Sequence, residues 1–181
     1  FIKNLIYKIV FNFANVLIVN SKEFKKEIKK KFIINPVHIY NPLNKNEILK
    51  LSEKKTENLY PKNTLKIINV GRLVDQKDQL TLLRAINSIK NSIKLKLVII
   101  GRGKNKQILK NYIKLNKISN LVKIFYTSNP FPYIKQADVF ILSSVFEGLP
   151  NVLLEAITLK KFVKSSSCPT GPKEILDNEK G

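Results

Sequence analysis

Apolar residues along this chain follow two rhythms. Short, nearly unbroken runs alternate with stretches in which apolar residues return every three or four positions. The runs are NVLIVN (15–20), PVHIYNP (36–42), LKIINVG (65–71), LKLVIIG (95–101), LVKIFYT (121–127), DVFILSS (138–144) and FVKSSS (162–167). Their length and Ile/Val content predict strands, with those at 65–71 and 95–101 buried. Between them the wider spacing predicts helices. Phe24, Ile28 and Phe32 share one face after an N-cap at Ser21, and Leu80, Leu83 and Ile86 share another within 78–90. Ile108, Leu109, Tyr112 and Ile113 mark a third helix, a short one lies near 131–137, and another starts at Pro150. From residue 65 onward, strand and helix alternate regularly. That order predicts an α/β fold with a Rossmann-like parallel sheet covered by helices on both faces.

The ends of this pattern are less regular. FIKNLIYKIVFNFANVLIV is apolar enough to suggest a membrane span, but Lys3, Asn4, Lys8, Asn12 and Asn15 interrupt it. We read it as a buried amphipathic helix running into a strand. Residues 43–64 are polar and lysine-rich, with Tyr60-Pro61 near their end, and read as a linker carrying a short helix. Residues 1–42 then form the end of one domain, and 65–181 form a second. Because the chain starts at Phe1 without methionine, we expect it to be a piece of a longer protein.

Charge changes the picture only modestly. The formal net charge is +20, yet only three of the thirty-three basic residues are arginine. A surface that reads phosphates or bases bidentately relies on arginine. The excess therefore reads as a solvated lysine surface, with weak attraction to an anionic membrane second, and nucleic acid is not an expected partner. The single cysteine, Cys168, excludes a disulfide framework and a cysteine metal site, and suits a reducing compartment. His38, the only histidine, sits in a strand-like run and reads as structural.

In open α/β sheets, ligands bind beyond the carboxyl ends of the strands. Four loops occupy such places. GRLVDQKDQ (71–79) sets Arg72 directly after Gly71 and Lys77 just before a helix, a pair suited to an anion. GRGK (101–104) is a Gly-x-Gly turn carrying Gly101 and Gly103, and does not match a nucleotide-triphosphate loop. SSVFEGLPNVLLEAI (143–157) places Glu147 in a turn and Glu155 inside the following helix. Pro150 suits the first helical position, and the amides of Asn151 and Val152 are offered to an anion. Carboxylates are acceptors for sugar hydroxyls, so a phosphate cradle flanked by two of them describes a nucleotide-sugar site. CPTGPKEIL (168–176) is a turn before a helix with Glu174 early in it.

Taken in order, Gly-Arg-Leu-x3-Lys, EGLPNVLLEA with Glu147-x7-Glu155, and CPTGPKEIL resemble the C-terminal domain of a family 4 retaining glycosyltransferase of the GT-B architecture. The resemblance covers 65–177, and 15–42 resembles the last piece of the N-terminal, acceptor domain. It implies transfer of a sugar with retention from a nucleotide diphosphate, by lean a UDP-sugar, to a glycan or lipid-linked acceptor in polysaccharide or glycoconjugate synthesis. A cytoplasmic protein at the inner membrane face would suit that acceptor. The resemblance assigns the donor diphosphate to Arg72 and Lys77, beside Gly71, and the ribose hydroxyls to Glu155. Glu147 with Gly148, Leu149, Asn151 and Val152 would hold the donor sugar and phosphates, and the loop of Gly101 and Gly103 would lie near the base. Glu147, Arg72 and Lys77 are the expected catalytic residues. Pro150 stands where many members carry a second glycine, which removes one backbone donor. No metal or other cofactor is expected: Asp75, Asp78, Asp138 and Asp177 form no Asp-x-Asp pair. A non-transferring nucleotide-sugar binder or an epimerase relative is the alternative. A glycosidase would also use two carboxylates but leaves Arg72 and Lys77 unexplained.

Overall fold

The computed structural model describes residues 2–32 and 34–176; Asp177 and the rest of the C-terminus lie outside them. The chain divides into two compact units. The larger comprises Leu43–Phe146 and Asn151–Cys168; the smaller comprises Phe1–Pro42, Glu147–Pro150 and Pro169–Gly181.

In the larger unit, α3 (Lys45–Ser52) precedes a regular alternation: β3 (Leu65–Val70), α4 (Gln79–Ile89), β4 (Leu95–Ile100), α5 (Lys106–Leu115), β5 (Val122–Phe125), α6 (Phe131–Gln136), β6 (Val139–Leu142), α7 (Asn151–Thr158) and β7 (Phe162–Ser165). The five strands form one sheet in the order β5-β4-β3-β6-β7, all parallel. Side-chain alternation explains how both faces are used. Ile67, Leu95, Leu97 and Ile99 pack with Leu82, Leu83 and Ile86 of α4 and Leu109 and Ile113 of α5. Their neighbours Ile68, Val70, Val98, Ile100, Phe140 and Leu142 are buried too. They face the other way, where α3, α6 and α7 pack against one another, and α6 and α7 against β3 and β6. Burial on both faces is why these strands read as solid apolar runs. Residues 43–64, read as a linker, thus supply a packed helix and the buried Leu59 and Tyr60.

The smaller unit holds α1 (Ile2–Phe13), β1 (Ile18–Val19), α2 (Lys22–Phe32), β2 (Val37–His38) and α8 (Pro172–Ile175). Its two strands are parallel, and Val19, Ile28 and Phe32 form its core with Phe11, Leu17, Phe24 and Ile34. The opening helix exists but is not buried as expected. Phe11 packs edge-on to Phe32 at 5.2 Å, while Ile6, Ile9, Val10 and Phe13 are exposed. One face of α1 meets α2, and no described residue covers the other. Among the described residues, no helix is long and apolar enough to cross a membrane.

Strand order reverses between β3 and β6, the switch point beside which open α/β sheets bind ligands. On the β4 side of β3 the backbone ladder continues past the strands. Gly71 N–H donates to Ile100 O at 3.0 Å, Leu73 N–H to Arg102 O at 2.9 Å, and Asn105 N–H to Leu73 O at 2.9 Å. A Cβ at Gly101 would run into the Gly71 carbonyl oxygen, and one at Gly103 into that of Leu73. At Gly71 a Cβ would only touch the Lys77 side chain, at 3.5 Å. Gly101→Ala should therefore cost roughly 1–3 kcal/mol or more through overpacking. Gly71→Ala should stay within about 0.5 kcal/mol. Urea denaturation of both variants checks the contrast, and equal losses would refute it.

Candidate functional site

The loop after β3 is held rigidly by its own residues. Leu73 is fully buried in the core cluster and anchors the chain between Arg72 and Val74. Asp75–Lys77 form a turn of 3-10 helix, after which Asp78 adopts a left-handed conformation (φ 43°) and caps α4, accepting from Thr81 N–H at 3.2 Å. The sequence suggested an anion site reinforced by this helix N-terminus. The Asp78 carboxylate already accepts from one of its free amides, that of Thr81. Buried Gln79 donates from its side-chain amide to Arg72 O at 3.0 Å, which fixes the arginine backbone.

The loop after β6 is tied directly to the first. Ser143 Oγ donates to Lys77 O at 2.8 Å, Val145 N–H to Gln76 O at 2.8 Å, and Gln76 Nε2 to Phe146 O at 3.0 Å. Beneath them Asn69 Nδ2 donates to Ile141 O at 2.8 Å. Each bond bridges β3 or its loop to β6 or its loop, so the two loops are held to each other. Arg72 is exposed there, with Nη2 donating to Gln76 Oε1 at 3.1 Å, and Lys77 lies beside Gly71.

Helix α7 begins at Asn151, one residue after Pro150, a difference within the normal scatter of helix ends. It carries Val152 and the half-buried Glu155, between buried Leu153 and Ala156. Burial pushes the Glu155 carboxyl above the ordinary glutamate value.

On the other side of β3, the carboxyl ends of β3, β4 and β5 enclose a cleft lined by Gly71, Arg72, Gly101, Arg102, Tyr126 and Pro130. The Arg102 guanidinium lies over the Tyr126 ring at 4.9 Å. Lys104 is paired with Asp75, which Asn105 Nδ2 also contacts at 2.8 Å. The hydrogen bond from Lys104, then that from Asn105, holds the Asp75 carboxyl below its usual value. The sequence reading missed Gln76, Gln79, Arg102 and Tyr126. Tyr126 was findable, because it follows β5 as Gly71 follows β3; the amides of Gln76 and Gln79 act through contacts that spacing does not encode.

Glu147, Gly148 and Leu149 belong to the smaller unit, where neighbours hold them closely. Thr170 Oγ1 donates to Glu147 O, and Gly171 (φ 61°) passes so near that a Cβ would strike Gly148 O. A Cβ on Gly148 would lie 3.1 Å from Asn20 Oδ1. The Thr170–Gly171 turn leads into α8, whose Glu174 accepts from Ser21 Oγ and Lys22 N–H, each at 2.9 Å, and from Tyr40 O–H at 2.5 Å. Burial opposes the Glu174 charge, but bonds from Tyr40, Ser21 and the Lys22 and Glu23 amides outweigh it and hold its carboxyl below the usual value. Cys168 is buried, and His38 stacks edge-on to Tyr40 at 4.2 Å.

The raised pKa of Glu155 has a measurable sign. An ionised carboxylate there is penalised in the folded chain, so its charge opposes folding once pH exceeds both the ordinary and the raised value. Glu155→Gln should melt above the wild type at pH 8, and the gap should shrink as pH falls to 4. Thermal melts at the two pH values check this; a variant less stable at pH 8 would contradict it.

Comparison with known proteins places this geometry. The model of the family "Glycosyl transferases group 1" matches residues 51–181, well over half the chain. A glycosyltransferase of Methanocaldococcus jannaschii is 36% identical over 184 residues, covering 95% of this chain and 44% of that protein. The Campylobacter jejuni N-acetylgalactosamine-N,N'-diacetylbacillosaminyl-diphospho-undecaprenol 4-alpha-N-acetylgalactosaminyltransferase is 28% identical over 179 residues, covering 98% of this chain and 48% of that protein. The crystal structure of Anabaena Alr3699/HepE in complex with UDP-glucose superposes with a TM-score of 0.73 at 20% identity, covering 91% of this chain and 47% of that one, a likeness of fold. The chain spans about half the length of the curated relatives it matches. It belongs to the glycosyl transferases group 1 family, and its parallel sheet flanked by helices resembles GT-B glycosyltransferase structures.

Proposed function

We propose that this chain is the donor-binding part of a retaining, family 4 glycosyltransferase. It takes a sugar from a nucleotide diphosphate, a UDP-sugar, and passes it to a glycan or lipid-linked acceptor in cell-surface polysaccharide or glycoconjugate synthesis. The observation that carries this reading lies at the reversal of strand order between β3 and β6. There a loop bearing Arg72 and Lys77 is stapled to the loop that leads toward α7 and Glu155. The Campylobacter relative, by its name, acts on a diphospho-undecaprenol-linked acceptor, and the Anabaena structure holds UDP-glucose. Both support an acceptor and donor of these kinds.

In this reading Arg72 and Lys77 receive the charge that builds on the leaving diphosphate. Preorganised cations stabilise such charge most when they need not move to meet it. Glu155 accepts the ribose hydroxyls; binding a diol returns to its carboxylate the hydrogen bonds that burial removed. Glu147 with Gly148 and Leu149, and the backbone of Asn151 and Val152, hold the sugar and its phosphates. The cleft of Gly101 and Tyr126 takes the base, with the loop of Gly103 near it. Residues 1–42 end the acceptor domain, 43–64 connect, and 65–181 bind donor. The protein works in the cytoplasm at the inner membrane face, its lysine excess favouring anionic lipid.

Calorimetric titration of residues 1–181 with UDP, GDP and ADP tests the donor assignment. UDP should bind saturably, and Arg72→Ala or Glu155→Ala should each weaken it at least tenfold, about 1.4 kcal/mol. Failure of a folded chain to bind any of the three would refute it. Because the diphosphate charge is assigned to side chains, the UDP dissociation constant should be the same with excess chelator and with added magnesium. A tenfold gain on adding magnesium would defeat the metal-free mechanism.

A further inference from the structure

The Gln76 side chain makes two bonds of opposite sense. Its Oε1 accepts from Arg72 Nη2 at 3.1 Å, and its Nε2 donates to Phe146 O at 3.0 Å. Its own carbonyl accepts from Val145 N–H at 2.8 Å. The amide orientation follows from its partners: reversed, it would set an N–H₂ against a guanidinium and an oxygen against a carbonyl. An uncharged amide is suited to this place. A carboxylate could accept from Arg72 but not donate to Phe146 O, and a lysine could donate but would repel the arginine.

We propose that Gln76 is a positioning residue for diphosphate binding, holding the Arg72 guanidinium in a fixed direction and locking it to the loop that leads to Glu147. A free arginine side chain loses much rotamer freedom when it engages a ligand. Gln76 imposes that order before the ligand arrives, using one of the five guanidinium donors and leaving the rest for phosphate oxygens. Gln79 completes the arrangement from the backbone side by holding Arg72 O. The contribution of Gln76 is therefore specific to the part of the ligand that the Arg72 guanidinium meets.

The inference rests on the donor-site reading, and one titration series separates the two. Wild type, Gln76→Ala and Gln76→Glu, all in the 181-residue chain, would be titrated with UDP and UMP, with a thermal melt of each to establish folding. Gln76→Ala should weaken UDP about tenfold and UMP less than threefold, so the preference for the diphosphate collapses. Gln76→Glu should weaken UDP further, because its carboxylate competes with phosphate for Arg72. UDP binding unchanged in Gln76→Ala, or UDP and UMP weakened equally, overturns the positioning role while the donor reading stands. A wild-type chain that binds neither nucleotide overturns the donor reading and this inference with it.

Discussion

The site depends on one close passage of backbone against backbone. Residues 71–73 leave β3 and stay hydrogen-bonded to residues 100–105 instead of turning away. The gap is too narrow for a Cβ at Gly101 or Gly103. Those glycines are therefore explained by packing, whatever else they contact. With Leu73 sunk in the core on one side and Gln79 holding Arg72 O on the other, the arginine backbone has little freedom left. A functional side chain on a loop is positioned only as well as the loop's backbone is restrained.

Charge near the two loops is already sorted. Lys104 is matched by Asp75, and Asp78 caps α4. Arg72 has a neutral partner in Gln76, so its charge is oriented without being cancelled. Glu155 is the converse: a half-buried carboxylate whose environment raises its proton affinity. Groups kept charged or half-buried at a cost to the folded state are common at functional sites, because stability and ligand binding ask for different environments.

Much of this was legible in the sequence, for a physical reason. A parallel strand buried on both faces reads as an apolar run with a polar exit, so β3 and β4 appear as runs ending at Gly71 and Gly101, and β5 and β6 as shorter runs ending near Thr127 and Ser144. The exits then mark the candidate site, which is how Arg72 and Lys77 could be named. What was not legible depends on contacts between distant segments. Nothing local says that Gln76 would reach Phe146 O, or that Thr170 would hold Glu147 O. The burial of α1 was misjudged for a related reason: an apolar composition shows that a helix can be covered, and not that a covering partner lies within the described chain.

Arginine usage carries information that net charge does not. With thirty lysines available, a position that needed only positive charge would usually be lysine. Of the three arginines, Arg84 is exposed on α4, whereas Arg72 and Arg102 stand directly after the glycines that end β3 and β4. Arg102 lies flat over Tyr126, and Arg72 meets an amide oxygen through one edge of its fork. Stacking and a directed planar fork are properties a lysine ammonium does not have. The lysine-rich background therefore sharpens the reading: where composition pushes every cation toward lysine, an arginine kept at a strand end marks a place where shape, and not charge alone, is required.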